Sequence, residues 1–380
     1  GGTYTENSSV TLTATAATGY QFLGWTVSGG TLSSPLSDTA ASVTLDQSSD
    51  ANATAHFEAL SYGLVLEAST GGSVSGDGNY SIGESVAIAA TPESGYGFAG
   101  WEVNGTLDFA VTAAARQYDG SSNALYLDGK ESPPLILVRG VVYQFVLDGS
   151  TTAGHPFYFS SDSSGGGNSY LGEITTGVTN SRAESGSVTI SVDDSTLSTL
   201  YYYCGNHSGM GNLITVIDAT GLIADTNASS TTATISASYA LRANWSLNQH
   251  LLTVNAGSGG SVTGGGTFDY GTNASIVATP EVGRVFTNWS GNGVDDANLS
   301  STTVSMIEDR NLTANFEPAS HLLSLTASPG EGGYVIGEGS FGHGSSVTVT
   351  ATPATGYAFL NWNGTGITDL NASSTAVVVT

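Results

Sequence analysis

The chemistry this chain could perform gathers around its one cysteine. Cys204 lies in YYYCGNHSGMG (201–211), where Cys204, His207 and Met210 form a C-x2-H-x2-M loop at the end of a strand-like stretch. A further histidine, His155, opens the apolar stretch HPFYFS 49 residues earlier. One thiolate, two imidazoles and a weak thioether are the donors that a blue-copper site needs. Soft sulfur suits Cu(I), and imidazole accommodates both oxidation states. Three ligands on one tight loop and one from a neighbouring strand would let the fold hold its geometry through a redox change. The plainer alternative is that Cys204 is simply buried, as free cysteines often are, with His207 and Met210 as turn and core residues. Zinc fits less well than copper, because methionine is a poor zinc ligand.

Other candidate groups read as structural. His56, His250, His321 and His343 fall in repeated strands or loops without ligand partners beside them in sequence. Asp225, Asp296 and Asp369 each precede an Asn by two residues, and an Asx-turn explains that spacing more simply than calcium, since the EF-hand pattern is absent. N-x-S/T sequons at Asn52, Asn227, Asn298, Asn311 and Asn371 mark exposed loops. No Ser-His-Asp order, carboxylate pair or phosphate loop supports catalysis, so no enzyme is expected.

The elements that must position the candidate ligands are all strands. ALYLD, PLILV, VVYQFVL, HPFYFS, SVTISV, LYYYC and NLITVI are short, β-branched and aromatic, separated by Gly- and Ser-rich loops, as in a sandwich. The stretch Ser160–Gly186, with Gly165-Gly166-Gly167, reads as a surface loop. This region resembles a cupredoxin with a ligand loop spaced as in amicyanins. The resemblance implies an inserted Greek-key β-sandwich in which His155, Cys204, His207 and Met210 are the ligands of one type 1 copper site. Pro156 departs from the pattern, because many cupredoxins have Asn after the first histidine.

Around this region the chain repeats itself. GYQFLGW (19–25), GYGFAGW (95–101), GRVFTNW (283–289) and GYAFLNW (356–362) each follow a strand with period-two alternation, such as Val347, Val349 and Ala351. Pro ends three of those strands, since it cannot donate to a ladder. Trp25, Trp101, Trp289 and Trp362 read as core anchors of small β modules, with a ligand-stacking row as the alternative. These motifs resemble the divergent InlB-type B-repeats of bacterial surface proteins over about two thirds of the chain. The resemblance implies an extracellular or cell-surface stalk, adhesin or filament whose partners are neighbouring repeats or subunits.

Spacing exposes the insertion. Trp25 to Phe57 is 32 residues and Trp289 to Phe316 is 27, but Trp101 to Trp245 is 144. IADTNASSTT (223–232) matches VDDANLSSTT (294–303), so the tail of the second repeat survives the interruption. The expected organisation is therefore repeat 1 at 1–60, a split repeat 2 at 62–110 plus 220–247, the insert at 111–219, repeat 3 at 250–318 and repeat 4 at 321–380. All are β, with no helix beyond about two turns. Repeat 1 lacks an opening strand and repeat 4 a closing one, so the chain is expected to be a window of a longer repetitive protein, with strand donation between subunits as the alternative.

Composition excludes several function classes. With 32 acidic against 7 basic residues and a net charge of −25, the chain lacks the basic clusters that nucleic acid or anionic membrane surfaces require. No apolar run is long enough to span a bilayer. Two readings follow: a structural surface-repeat segment carrying a copper-binding module, or an electron-transfer protein on a repeat scaffold with a separate redox partner.

Overall fold

The computed structural model describes residues 1–32, 40–45, 50–118, 122–167 and 170–380. It divides into two compact units, Gly1–Ser246 and Leu247–Thr380. Strands dominate both, and one 3-10 turn, Gly330–Gly332, is the helical element among the described residues. No helix is long and apolar enough to cross a membrane.

Repeat 3 shows the module undisturbed. One sheet runs in the order Gly266–Asp269, Gln249–Ala256, Arg310–Pro318, Arg284–Ser290; the other runs Gly260–Thr263, Thr272–Pro280, Ser301–Met306. The opening and closing strands, Gln249–Ala256 and Arg310–Pro318, are parallel neighbours. Along Thr272–Pro280, Ala274, Ile276 and Ala278 face inward while the residues between them face out. They meet Leu252, Val304, Leu312 and Trp289, which is 2% exposed. Burying that indole contributes roughly 2–3 kcal/mol.

The F-x-x-W spacing in these repeats conflicts with period two, since residues three apart on a regular strand face opposite sides. A bulge resolves it. The register slips by one residue between Phe286 and Asn288, and between Phe22 and Gly24 in repeat 1. Phe286 and Trp289 then share the core side with ring centroids 5.7 Å apart, and Phe22 and Trp25 do so at 5.6 Å.

Repeat 2 has the same sheet pattern, but its strands come from both sides of the interruption. Tyr62–Ala68 pairs in parallel with Tyr239–Leu247, and Ser85–Pro92 pairs with Ser230–Thr234. The Trp101 indole N–H donates to the carbonyl of Ala228 at 3.1 Å, across 127 residues. The equivalent bonds of Trp289 to Leu299 and Trp362 to Ala372 span only ten. Phe98 packs against both Trp101 and Trp245.

Between those halves stand two larger sheets. The six-stranded one runs Lys130–Glu131, Asn123–Leu127, Gly105–Ala115, Val141–Leu147, Gly186–Ser191, Val178–Thr179. The four-stranded one runs Leu135–Val138, Gly211–Ile217, Thr199–Cys204, Phe157–Ser160. Phe109, Phe145, Phe157 and Tyr202 stack through the space between them, and the core continues into repeat 2. The strand that leads from repeat 2 into this sheet runs Gly105–Ala115. Gly105 has φ +139°, and a Cβ there would sit 2.8 Å from the Glu67 carboxylate, so only glycine turns the chain here from repeat to insert.

Candidate metal centre

The ligand residues converge because two strands pair in register. Thr199–Cys204 lies antiparallel to Phe157–Ser160, with Cys204 opposite Phe157. His155, two residues before Phe157, therefore sits beside the cysteine. The Cys204 sulfur is 3.6 Å from Nδ1 of His155 and 3.4 Å from Nδ1 of His207. The ligand atoms of these three residues lie within 4.8 Å of one another, and the two imidazoles are 4.6 Å apart by centroid. Cys204 is fully buried and His155 nearly so, whereas His207 is exposed.

Met210 is buried at the end of the same loop. Its carbonyl accepts from the Cys204 N–H at 2.9 Å, which closes the loop into a tight ring. Met210 and His207 line one shallow depression with Asn123, Asn206 and Gly167. The loop backbone is otherwise held by its surroundings. Gly205 N–H donates to the Pro156 carbonyl at 2.7 Å, and the Asn206 amide donates to the carbonyl of Gly154 at 2.9 Å. Proline has no N–H to give, so the residue after the first histidine braces the loop as an acceptor instead.

Burial pushes the Cys204 thiol above its ordinary value, while the backbone N–H groups of Asn206 and His207 pull it back down. Burial, then the proximity of His207, holds His155 below the usual histidine range. A buried thiol and two imidazoles, with their donor atoms turned toward one point, fit a soft divalent or monovalent cation: the cation removes the thiol proton and satisfies both rings.

The loop expected at Ser160–Gly186 does more than connect strands. The Gly166 N–H donates to the Tyr158 hydroxyl at 2.7 Å, and a Cβ at Gly166 would lie 3.0 Å from the His207 carbonyl. With φ +93°, Gly166 lets this segment close over the ligand loop. The Gly-Gly-Gly run was its signal in sequence.

The remaining candidates take structural positions. His56 meets the Thr26 hydroxyl at 2.9 Å and stacks on Tyr118. His250 lies 3.4 Å from Asp309, and the His321 and His343 rings are 5.4 Å apart. Asp225, Asp296 and Asp369 each accept the N–H of the Asn two residues on at 2.9 Å, which is Asx-turn geometry.

A family model described as the divergent InlB B-repeat domain matches residues 1–61, 62–118, 250–320 and 323–380. The chain belongs to this family. The divergent InlB B-repeats account for the four tryptophan modules, and the matches leave 119–249 outside them. No curated protein matches the chain. Among solved structures, reduced rusticyanin matches at 17% identity over 30% of this chain and 79% of its own, with a TM-score of 0.20, too low to carry an argument.

Proposed function

We propose that this chain is a structural segment of an extracellular or cell-surface repeat protein, an adhesin, stalk or filament, that displays an inserted cupredoxin-like module able to bind copper. Membership of the B-repeat family and the strongly acidic, lysine-poor composition support the scaffold part. The insert, read as 111–219 within a repeat made of 62–110 plus 220–247, is the displayed part. Its metal role rests on one observation: the convergence of Cys204, His155 and His207 donor atoms within 4.8 Å.

His155, Cys204 and His207 would hold the ion, with Met210 as the weak fourth ligand. Copper bound there supplies one-electron redox chemistry. The chain's own residues set the conditions. Backbone N–H groups of Asn206 and His207 stabilise the thiolate, and Gly166 packs against the loop's backbone beside the His207 carbonyl. No catalysis is assigned. The partners in this reading are neighbouring repeats or subunits and an unidentified surface ligand.

The second reading is electron transfer on a repeat scaffold, and the exposure of His207 favours it, since its ring edge offers an outside redox partner a short route to the sulfur. Metal analysis with visible absorption tests both. An intense thiolate-to-copper band at one copper per chain supports the site; a colourless protein that takes up no copper overturns it. Reversible reduction by an external donor separates the second reading from the first.

A further inference from the structure

The ligand loop is gripped from one side by a residue that belongs to none of the ligand positions. Arg116 donates through one guanidinium nitrogen to the Glu131 carboxylate at 3.1 Å and through another to the carbonyl of Gly209, between His207 and Met210. Both side chains of this pair are largely buried, at 13% and 4% exposure. The second Glu131 oxygen accepts the Gln117 N–H at 2.7 Å and the Tyr126 hydroxyl at 3.2 Å. Such a saturated carboxylate fixes the guanidinium plane, and the fork of arginine leaves one edge aimed at the loop.

Repeat 1 fastens to the same segment. Lys130, the one lysine of the chain, lies 2.6 Å from the Glu58 carboxylate in repeat 1. The buried Gln21 amide of repeat 1 donates to Glu58 at 3.0 Å and toward the Glu131 carbonyl at 3.4 Å. His56 stacks on Tyr118, two residues after Arg116, with ring centroids 4.1 Å apart. A repeat far from the candidate ligands in sequence thus clasps the strand Lys130–Glu131 and the turn that follows Arg116.

We propose that Arg116, set by Glu131, is a positioning residue for the ligand loop, and that docking of repeat 1 through Glu58 and Gln21 makes the loop's placement depend on the repeat array. The proposal rests on the reading of 204–210 as a metal-binding loop, and it couples the scaffold to the site it carries.

Cys204 is the chain's one cysteine and is fully buried, so its alkylation by iodoacetamide in the metal-free full chain reports opening of this loop. Arg116→Gln and Glu58→Lys are each expected to speed alkylation about tenfold or more, equivalent to roughly 1.4 kcal/mol less local protection. Arg116→Lys, which reaches only one of the two partners, is expected to fall between, and it carries the test should Arg116→Gln fail to fold. Arg242→Gln, which breaks the ion pair with Glu67 in repeat 2, is expected to leave the rate unchanged. Denaturant midpoints measured alongside separate loop opening from global unfolding. On the copper-loaded chain, the first two variants are expected to weaken copper affinity and move the thiolate band. An unchanged alkylation rate in Arg116→Gln overturns the brace. A fast Arg116→Gln with an unchanged Glu58→Lys overturns the coupling to repeat 1. If alkylation responds as stated but the parent chain shows no copper band, the metal reading falls and the brace stands.

Discussion

The hydroxyl of Tyr143 donates to the carbonyl of Ser238 at 2.7 Å, joining the middle of the insert to the returning half of repeat 2 across 95 residues. The same hydroxyl accepts the Val138 N–H at 2.8 Å, and the Ser238 hydroxyl accepts the Gly63 N–H at 3.0 Å. Tyr143 is fully buried, so no water can replace either bond.

Tyr143→Phe is therefore expected to strand a buried carbonyl and a buried N–H, at a cost of about 2 kcal/mol. Thermal unfolding of residues 1–246 should shift down by several degrees, with the melting of repeats 3 and 4 unmoved. Equal melting of the variant and the parent would show that the two parts are not joined through this hydroxyl.

Cys204→Ser is expected to abolish any thiolate-to-copper absorption while leaving the far-ultraviolet signature of strands intact. Serine at a fully buried position costs about 1–3 kcal/mol, below what the surrounding aromatic core supplies. Visible absorption that survives the substitution would refute the site.

The metal-free insert should be most stable between the ordinary histidine and cysteine values of 6.5 and 9.0. His155 is depressed in the fold, so the unfolded chain takes up a proton near pH 6.5 that the folded chain refuses, and stability falls as pH drops through that value. Cys204 is raised, so the unfolded thiol ionises first, and stability falls as pH climbs past 9.0. Melting temperatures taken with a chelator, at fixed high salt to screen the net charge of −25, check the curve. A melting temperature that rises on acidification from pH 7 to 5.5 would contradict it.

Trp289→Ala should cost about 3–5 kcal/mol and unfold repeat 3 ahead of repeat 2. Val285→Ala removes a partly exposed side chain next to the same bulge and should cost well under 1 kcal/mol. Proteolytic susceptibility of 247–320 reads the difference; equal protection in both variants would remove Trp289 from its role as anchor.

The candidate donors and the tryptophan anchors were legible because each is a residue type with few other uses at its spacing. Cys204, His207 and Met210 stand three apart on one loop, and the four tryptophans recur in one pattern. The bulges at Leu23 and Thr287 were implied by F-x-x-W but not read, because a strand pattern alone gives no register. Arg116 and Glu131 could not be read as a pair around the ligand loop. Their meeting depends on which strands become neighbours, and Arg116 touches the loop through a main-chain carbonyl, which leaves no mark in sequence. Gly105 was missed because its need for glycine arises from Glu67 and Ala240, distant in the chain.

The parallel pairing of Tyr62–Ala68 with Tyr239–Leu247 has a mechanical consequence. Tension along the chain enters repeat 2 at Tyr62, the front of one strand, and leaves at Leu247, the back of its neighbour. The two strands are then pulled lengthwise past each other, so their ladder bonds share the load together instead of parting one by one. The force passes directly between them, and the two sheets built between Gly105 and Ile217 lie outside this ladder. The strands carried there are expected to stay unstretched while this ladder bears the pull, and to feel tension along the chain only after their host has given way. In single-molecule extension, the length step of the insert should never precede that of repeat 2.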